Sequence, residues 1–89
     1  MDAMPISEFA RRAKISKPCL VNYVRPFRAA LEYLGHKGYS YNYKEVLFLC
    51  SVLVYDVSEF YPDEDKAQIT IEQQQIVNEV YEKVQLKQR

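Results

Sequence analysis

The chain has 89 residues, 48% of them hydrophobic, which suits one small domain with its own core. Its longest apolar stretch, residues 46–55, is far shorter than the roughly 18 residues of a membrane-spanning helix, so a membrane protein is not expected. The 12 basic and 12 acidic side chains cancel, but residues 1–45 hold eight bases against four acids and residues 46–89 hold four against eight. The N-terminal half could therefore face a polyanion.

The N-terminal third predicts two helices separated by a short turn. Apolar residues recur at helical spacing from about Pro5 to Ala13 and predict the first helix. Lys14 interrupts this pattern, and Ser16 is the expected N-cap of the second helix. That helix should stop before Pro26, because the residue preceding a proline is disfavoured in the helical conformation.

Residues 27–43 allow two interpretations. Good helix propensities over residues 26–34 predict a short helix closed by Gly35. Alternatively, a strand near residues 30–34 pairs with the alternating aromatic and polar residues 39–43 through a glycine-containing turn. The hairpin is the favoured prediction.

The C-terminal half predicts a buried helix and a terminal helix. Lys44–Tyr55 is apolar nearly all round and should be the central core element. An acidic, solvated loop follows at residues 62–66, and the last helix should begin near Thr70, where Thr70–Gln73 has the form of a capping box. The apolar seam of this helix predicts either a homodimer contact or packing on its own core, with dimerisation favoured. Its residues are Ile76, Val77, Val80, Tyr81 and Val84.

The turn between the first two helices carries the functional prediction. Phe9-Ala10 in the first helix and Lys14-Ile15-Ser16 in the turn have the spacing of a helix-turn-helix. Together with Gly38-Tyr39 and the helix start at Tyr43–Leu47, they resemble MerR-type and excisionase-type winged helix-turn-helix DNA-binding proteins. The resemblance implies a mainly α fold with a small β-hairpin wing.

The resemblance also implies an organisation along the chain. The expected parts are a winged helix-turn-helix DNA-binding domain at residues 1–56, an acidic loop at 57–68 and a C-terminal helix at 69–89. Departures from the family are Lys14 in place of the usual turn glycine and Pro18, Val21 and Ser40 in place of frequent arginines. The long dimerisation helix and effector domain of sensing members are not expected, so no small-molecule ligand is predicted.

The DNA contacts implied by the resemblance divide into two kinds. Asn22 is the candidate for pairing with an adenine edge, and Val21 could touch a thymine methyl. Ser16 should orient the second helix so that its first turn enters a major groove. Backbone contacts are expected from Arg11, Arg12, Lys17, Arg25, Arg28, His36 and Lys37.

The predicted function is sequence-specific binding of double-stranded DNA by a homodimeric transcriptional regulator, most simply a repressor. An excisionase-like or architectural role, and a protein-interaction module without DNA binding, are the alternatives. No enzyme is expected, because the sequence lacks paired carboxylates, a phosphate-binding glycine loop and a nucleophile with a base. A single histidine and two separated cysteines predict neither a metal nor another cofactor, and two free thiols favour a reducing cytoplasm. The resemblance implies that this is the cytoplasm of a prokaryotic cell, or that the protein comes from a phage or mobile element.

Overall fold

The protein is mainly helical, with a small two-stranded antiparallel sheet. A computed structural model describes residues 2–84, which form five α-helices, two strands and two 3₁₀ turns. The helices are α1 Ile6–Ala13, α2 Lys17–Val24, α3 Arg28–Tyr33, α4 Tyr43–Val52 and α5 Lys66–Lys83. The strands are β1 Met4–Pro5 and β2 Ser40–Tyr41, and the 3₁₀ turns are Arg25–Phe27 and Val57–Glu59. None of the helices within residues 2–84 has the length and apolar character that a membrane span requires.

Two predicted features of the N-terminal third are confirmed, the first helix and the Ser16 cap. Ser16 Oγ accepts a hydrogen bond from the Cys19 amide at 3.2 Å and so satisfies a free N–H at the start of α2. Lys14 adopts the left-handed conformation, with φ of 62°. The Ile15 amide donates to the Ala10 carbonyl at 3.1 Å and closes the end of α1. Three residues therefore fix the direction of α2 relative to α1.

The predicted pairing of a strand near residues 30–34 with residues 39–43 is wrong. Residues 28–33 form α3, and Gly35, with φ of 91°, ends it as the alternative interpretation proposed. The helical conformation is favoured over the strand because it buries both Ala30 and Leu31 in the core. Strand β2 pairs with β1 instead, Met4 opposite Tyr41, so the small sheet joins the two ends of the N-terminal half.

Helix α4 is the centre of the core, as predicted, although it ends at Val52 and so three residues early. Every side chain from Val46 to Cys50 is at most 1% exposed. Asn42 and Glu45 form a reciprocal capping box at its start, each side chain accepting a hydrogen bond from the other residue's amide at 2.8 Å. Phe27 packs edge-on against Phe48 with ring centroids 5.9 Å apart, which brings the segment before α3 onto this helix.

Helix α5 begins at Lys66, four residues before the predicted start near Thr70. The predicted capping box at residues 70–73 is therefore wrong, because Asp65 caps the helix by accepting a hydrogen bond from the Ala67 amide at 3.0 Å. The acidic loop is correspondingly shorter than residues 57–68, since a 3₁₀ turn occupies its start and α5 its end.

The predicted dimer seam lies largely in the core of its own chain. Ile76, Val77, Val80 and Val84 are between 2% and 9% exposed, whereas Tyr81 is 50% exposed. The alternative interpretation, in which the seam packs on the core of its own chain, is therefore the correct one for these four residues. They supply the apolar cover that α4 needs on this side. Residues 85–89, the end of the predicted C-terminal segment, lie outside the described residues.

The end of α4 contains a strained residue. Val54 has φ of 62°, a conformation that a β-branched side chain rarely adopts, and it is 87% exposed. The Val54 and Tyr55 amides donate to the carbonyls of Ser51 and Cys50, the arrangement in which helices usually end with glycine. Val54 therefore costs conformational energy without contributing to the core.

We expect Val54→Gly to raise the free energy of unfolding by about 1 kcal/mol, because relief of the left-handed strain outweighs the greater freedom of glycine in the unfolded chain. Urea denaturation measures the change. Ser51→Gly is the matched control in the same exposed helix end, and it should lose about 0.5–1 kcal/mol. Loss of stability in both variants would contradict the strain assigned to Val54.

Candidate nucleic-acid interface

Helix α2 is attached to the protein by a narrow face. Leu20 is completely buried and Val24 is half-buried, while the opposite surface faces solvent. The exposed residues include Lys17, Val21 and Asn22. Because Ser16 caps the helix and the turn fixes its direction, these three predicted contact residues are exposed on one short helix of defined orientation.

The surroundings of α2 are rich in positive charge. No acidic residue occurs between Glu8 and Glu32. Six basic residues occur in this interval, namely Arg11, Arg12, Lys14, Lys17, Arg25 and Arg28. Of these, Lys14, Lys17, Arg25 and Arg28 are exposed beside or on α2 and α3, which gives this part of the surface a local positive potential.

Arg12 does not belong to this exposed set. Its guanidinium donates to the Phe60 carbonyl and to the Glu8 carboxylate, both at 2.7 Å. The arginine therefore ties α1 to the end of the Val57–Glu59 turn, and the predicted backbone contact from Arg12 stays a prediction. Arg11 is mostly exposed but also bonds Glu8, and hydrogen bonds from both arginines hold the pKa of Glu8 below its ordinary value.

His36 lies at a turn, as predicted, but it is anchored rather than free. Its Nδ1 is 2.7 Å from Oε2 of Glu45, a carboxylate with 0% exposure. The other oxygen of that carboxylate accepts the Asn42 amide in the α4 capping box. Burial raises the pKa of Glu45 above its ordinary value of 4.5, and the Asn42 hydrogen bond and His36 oppose the shift. The pair fixes the loop after α3 to the start of α4.

The loop between α3 and β2 contains an exposed tyrosine that is not among the predicted contact residues. Tyr39 is 82% exposed, while Tyr41 of the same alternating row is 2% exposed. The Tyr39 carbonyl accepts the Ile6 amide at 2.9 Å, so the backbone is held while the ring projects. Lys37, the predicted wing-tip cation, is exposed, and its backbone forms an isolated antiparallel β-bridge with Ser40. The local signals for Tyr39 were its place beside Gly38 and its place in the alternating row of residues 39–43.

A groove connects several predicted site residues. It has a volume of about 380 Å³ and is formed where α1, α2 and α3 meet β2. Val21, Arg25, Arg28 and His36 all line it. Arg28 also makes an exposed ion pair with Glu32 at 3.2 Å. The structure therefore brings four residues from four segments, namely α2, the 3₁₀ turn after it, α3 and the following loop, to one concave surface.

Comparison with known proteins identifies no relative. The chain matches no protein-family model, no curated protein and no solved structure. Within residues 2–84, no three histidine, cysteine, aspartate or glutamate side chains are grouped so that they could hold a metal ion.

The raised pKa of Glu45 has a consequence for the pH dependence of stability. As pH rises above 4.5, the unfolded chain loses the Glu45 proton before the folded protein does, so the folded protein becomes less stable. Relative to Glu45→Gln, which keeps an acceptor for the Asn42 amide, the native protein should lose about 1.4 kcal/mol for each unit by which the pKa is raised. Urea unfolding of both proteins at pH 4 and pH 7 measures this difference.

Glu72→Gln is the control, because the pKa of Glu72 is shifted in the opposite direction and its effect on stability should have the opposite dependence on pH. Hydrogen bonds from Tyr43 and Gln68 lower the pKa of Glu72, so its contribution to stability is present above the ordinary pKa and is lost as pH falls. If the native protein instead gained stability over Glu45→Gln with rising pH, the His36 ion pair would outweigh burial at Glu45.

Proposed function

We propose that the protein binds double-stranded DNA in a sequence-specific manner and acts as a small transcriptional regulator, most simply a repressor that occupies a promoter. In this proposal α1, the three-residue turn and α2 are a helix-turn-helix, and α2 enters the major groove. The observation that carries the proposal is the acid-free exposed face of α2, fixed by the Ser16 cap and the Lys14 turn.

The exposed side chains suit the two kinds of DNA contact. Lys17 and Arg25 lie at the two ends of α2, where cations can reach the phosphates on either side of a groove. Asn22, between them and exposed, has the amide that pairs with the major-groove edge of adenine. Val21 is 41% exposed and offers an apolar surface for a thymine methyl group.

The loop of residues 36–39 is proposed to act as the wing. The Ile6 amide of α1 donates to the Tyr39 carbonyl, and the His36 side chain is paired with Glu45 of α4. The exposed residues of the loop therefore keep a fixed position relative to α1 and α4. Lys37 would contact a phosphate, and the exposed ring of Tyr39 would lie against the adjoining sugars. This wing is a short anchored turn rather than the two-stranded hairpin expected from the sequence.

The proposed regulator binds as a homodimer only if it uses a surface other than the α5 seam, since Ile76, Val77, Val80 and Val84 are buried in the protomer. Two chains on a repeated site, each contributing one α2, would meet the same DNA geometry. Sedimentation of the protein with and without a duplex gives the stoichiometry directly.

An interaction module without DNA binding is the competing function. Its support is the zero net charge of the chain and the exposed apolar side chain of Val54. Salt dependence separates the two functions, because phosphate contacts release counterions and protein contacts of this kind do not.

The test is a gel shift with DNA from upstream of the protein's own gene and an unrelated duplex, at several salt concentrations. We expect preferential binding to the upstream DNA. Lys17→Ala and Arg25→Ala should each weaken binding to both duplexes and reduce the slope of log K against log salt by about 0.9. Asn22→Ala should reduce the preference for the upstream DNA by about 1–3 kcal/mol.

Lys83→Ala, at the exposed end of α5, is the matched control for loss of one positive charge. Equal effects of Lys83→Ala and Lys17→Ala would show that only total charge matters and would refute the α2 geometry. Absence of binding to either duplex by the folded native protein would favour the interaction module.

A further inference from the structure

We propose that the groove between α2, α3 and β2 is a binding site for a small carboxylate with an apolar body, such as a medium-chain acyl or aryl acid. The groove joins an apolar floor to a cationic rim, and this combination matches a ligand that carries both features. Binding of such a ligand is independent of the proposed DNA function.

The floor of the groove is apolar and comes from four different elements. Ile6 of α1, Val24 of α2, Leu31 of α3 and Tyr41 of β2 line it. Leu31 and Tyr41 are 6% and 2% exposed, so the deepest part is a continuation of the core. The volume of about 380 Å³ lies within the range of about 300–1,000 Å³ found for small-molecule sites.

The rim carries an excess of positive charge. Two arginines, Arg25 and Arg28, line the groove against the single acid Glu32. The Arg28–Glu32 pair has side chains that are 85% and 65% exposed, and such surface pairs are weak. A carboxylate can therefore take the place of Glu32 on Arg28, and the planar guanidinium binds it through two parallel hydrogen bonds.

His36 supplies a preorganised polar group. Because its Nδ1 is held at 2.7 Å from buried Glu45, the ring keeps one orientation and Nε2 is the nitrogen left for a ligand. Nε2 donates to a carboxylate only when both ring nitrogens carry a proton, so the arginines are the main partners of the ligand's charge. A side chain that is already fixed loses little conformational entropy when it binds, which favours a specific ligand over loose association.

The apolar floor distinguishes this ligand from a DNA phosphate. A phosphodiester would meet the arginines but leave the surface around Val24 and Leu31 uncovered. An acid with an apolar body covers that surface and places its charge on the rim at the same time. Val21 and Arg25 also belong to the proposed DNA-contacting face, so a bound acid would obstruct DNA; this consequence, unlike the binding itself, rests on the proposed function.

The test is a titration of the full-length ¹⁵N-labelled protein with octanoate, followed by amide chemical shifts without DNA. We expect saturable shifts centred on residues of α2, α3 and β2, with a dissociation constant on the order of 1 mM. Octan-1-ol, which lacks the charge, should bind at least about tenfold more weakly, as should octanoate to the Arg25→Gln/Arg28→Gln double variant. Lys83→Gln should bind octanoate as the native protein does.

Three results would overturn the proposal. Equal binding of octanoate and octan-1-ol would refute the carboxylate site, and so would unchanged octanoate affinity in the double variant with a native-like spectrum. Absence of saturable shifts at concentrations of about 10 mM would show that the groove holds no such ligand. Because the titration contains no DNA, its failure is distinct from failure of the gel shift.

Discussion

Burial of α4 on every side is the constraint on which the rest of the structure depends. A helix in which Val46–Cys50 are at most 1% exposed must be covered on all sides by other parts of the chain. Helix α5 covers one side, and Gln73 completes the contact by donating to the Leu47 carbonyl at 2.9 Å. This requirement explains why the apolar residues of α5 pack inward, where the sequence pattern alone equally allowed a dimer contact.

The same helix positions the proposed functional surface. A carboxylate buried at the start of α4 needs partners, and Glu45 finds them in the Asn42 amide and the His36 ring. The loop that carries Lys37 and Tyr39 is thereby fixed to the core. Helix α2, in contrast, buries only Leu20 completely, so most of its surface is left for contacts with another molecule. The buried helix α4 thus fixes the position of the loop that carries Lys37 and Tyr39, beside a helix α2 whose surface is mostly exposed.

The sequence predicted those elements whose signals are local, and it failed where distant segments compete. The Ser16 cap and the apolar α4 depend on neighbours within a few residues, and both were predicted correctly. The partner of Ser40–Tyr41 is Met4–Pro5, more than thirty residues away, so no local pattern could choose between the hairpin and α3. The hydrogen bond from Arg12 to the Phe60 carbonyl also joins residues far apart in the sequence. The His36–Glu45 pair could not be predicted because it depends on the path of residues 34–39 after α3, which the hairpin prediction did not describe.

The zero net charge of the chain is only weak evidence against a polyanionic partner. At physiological ionic strength the Debye length is about 8 Å, whereas the described part of the chain, residues 2–84, spans 36 × 31 × 21 Å. A bound molecule therefore senses charges within a fraction of the surface, and distant acids are largely screened from it. The acid-free interval between Glu8 and Glu32 is consequently more informative than the total. Arg25 lies both on this surface and at the rim of the groove, so one cation can contact either of the two proposed anionic ligands, DNA or a small carboxylate. The apolar floor beside Arg25 favours the carboxylate with an apolar body as the ligand held in the groove.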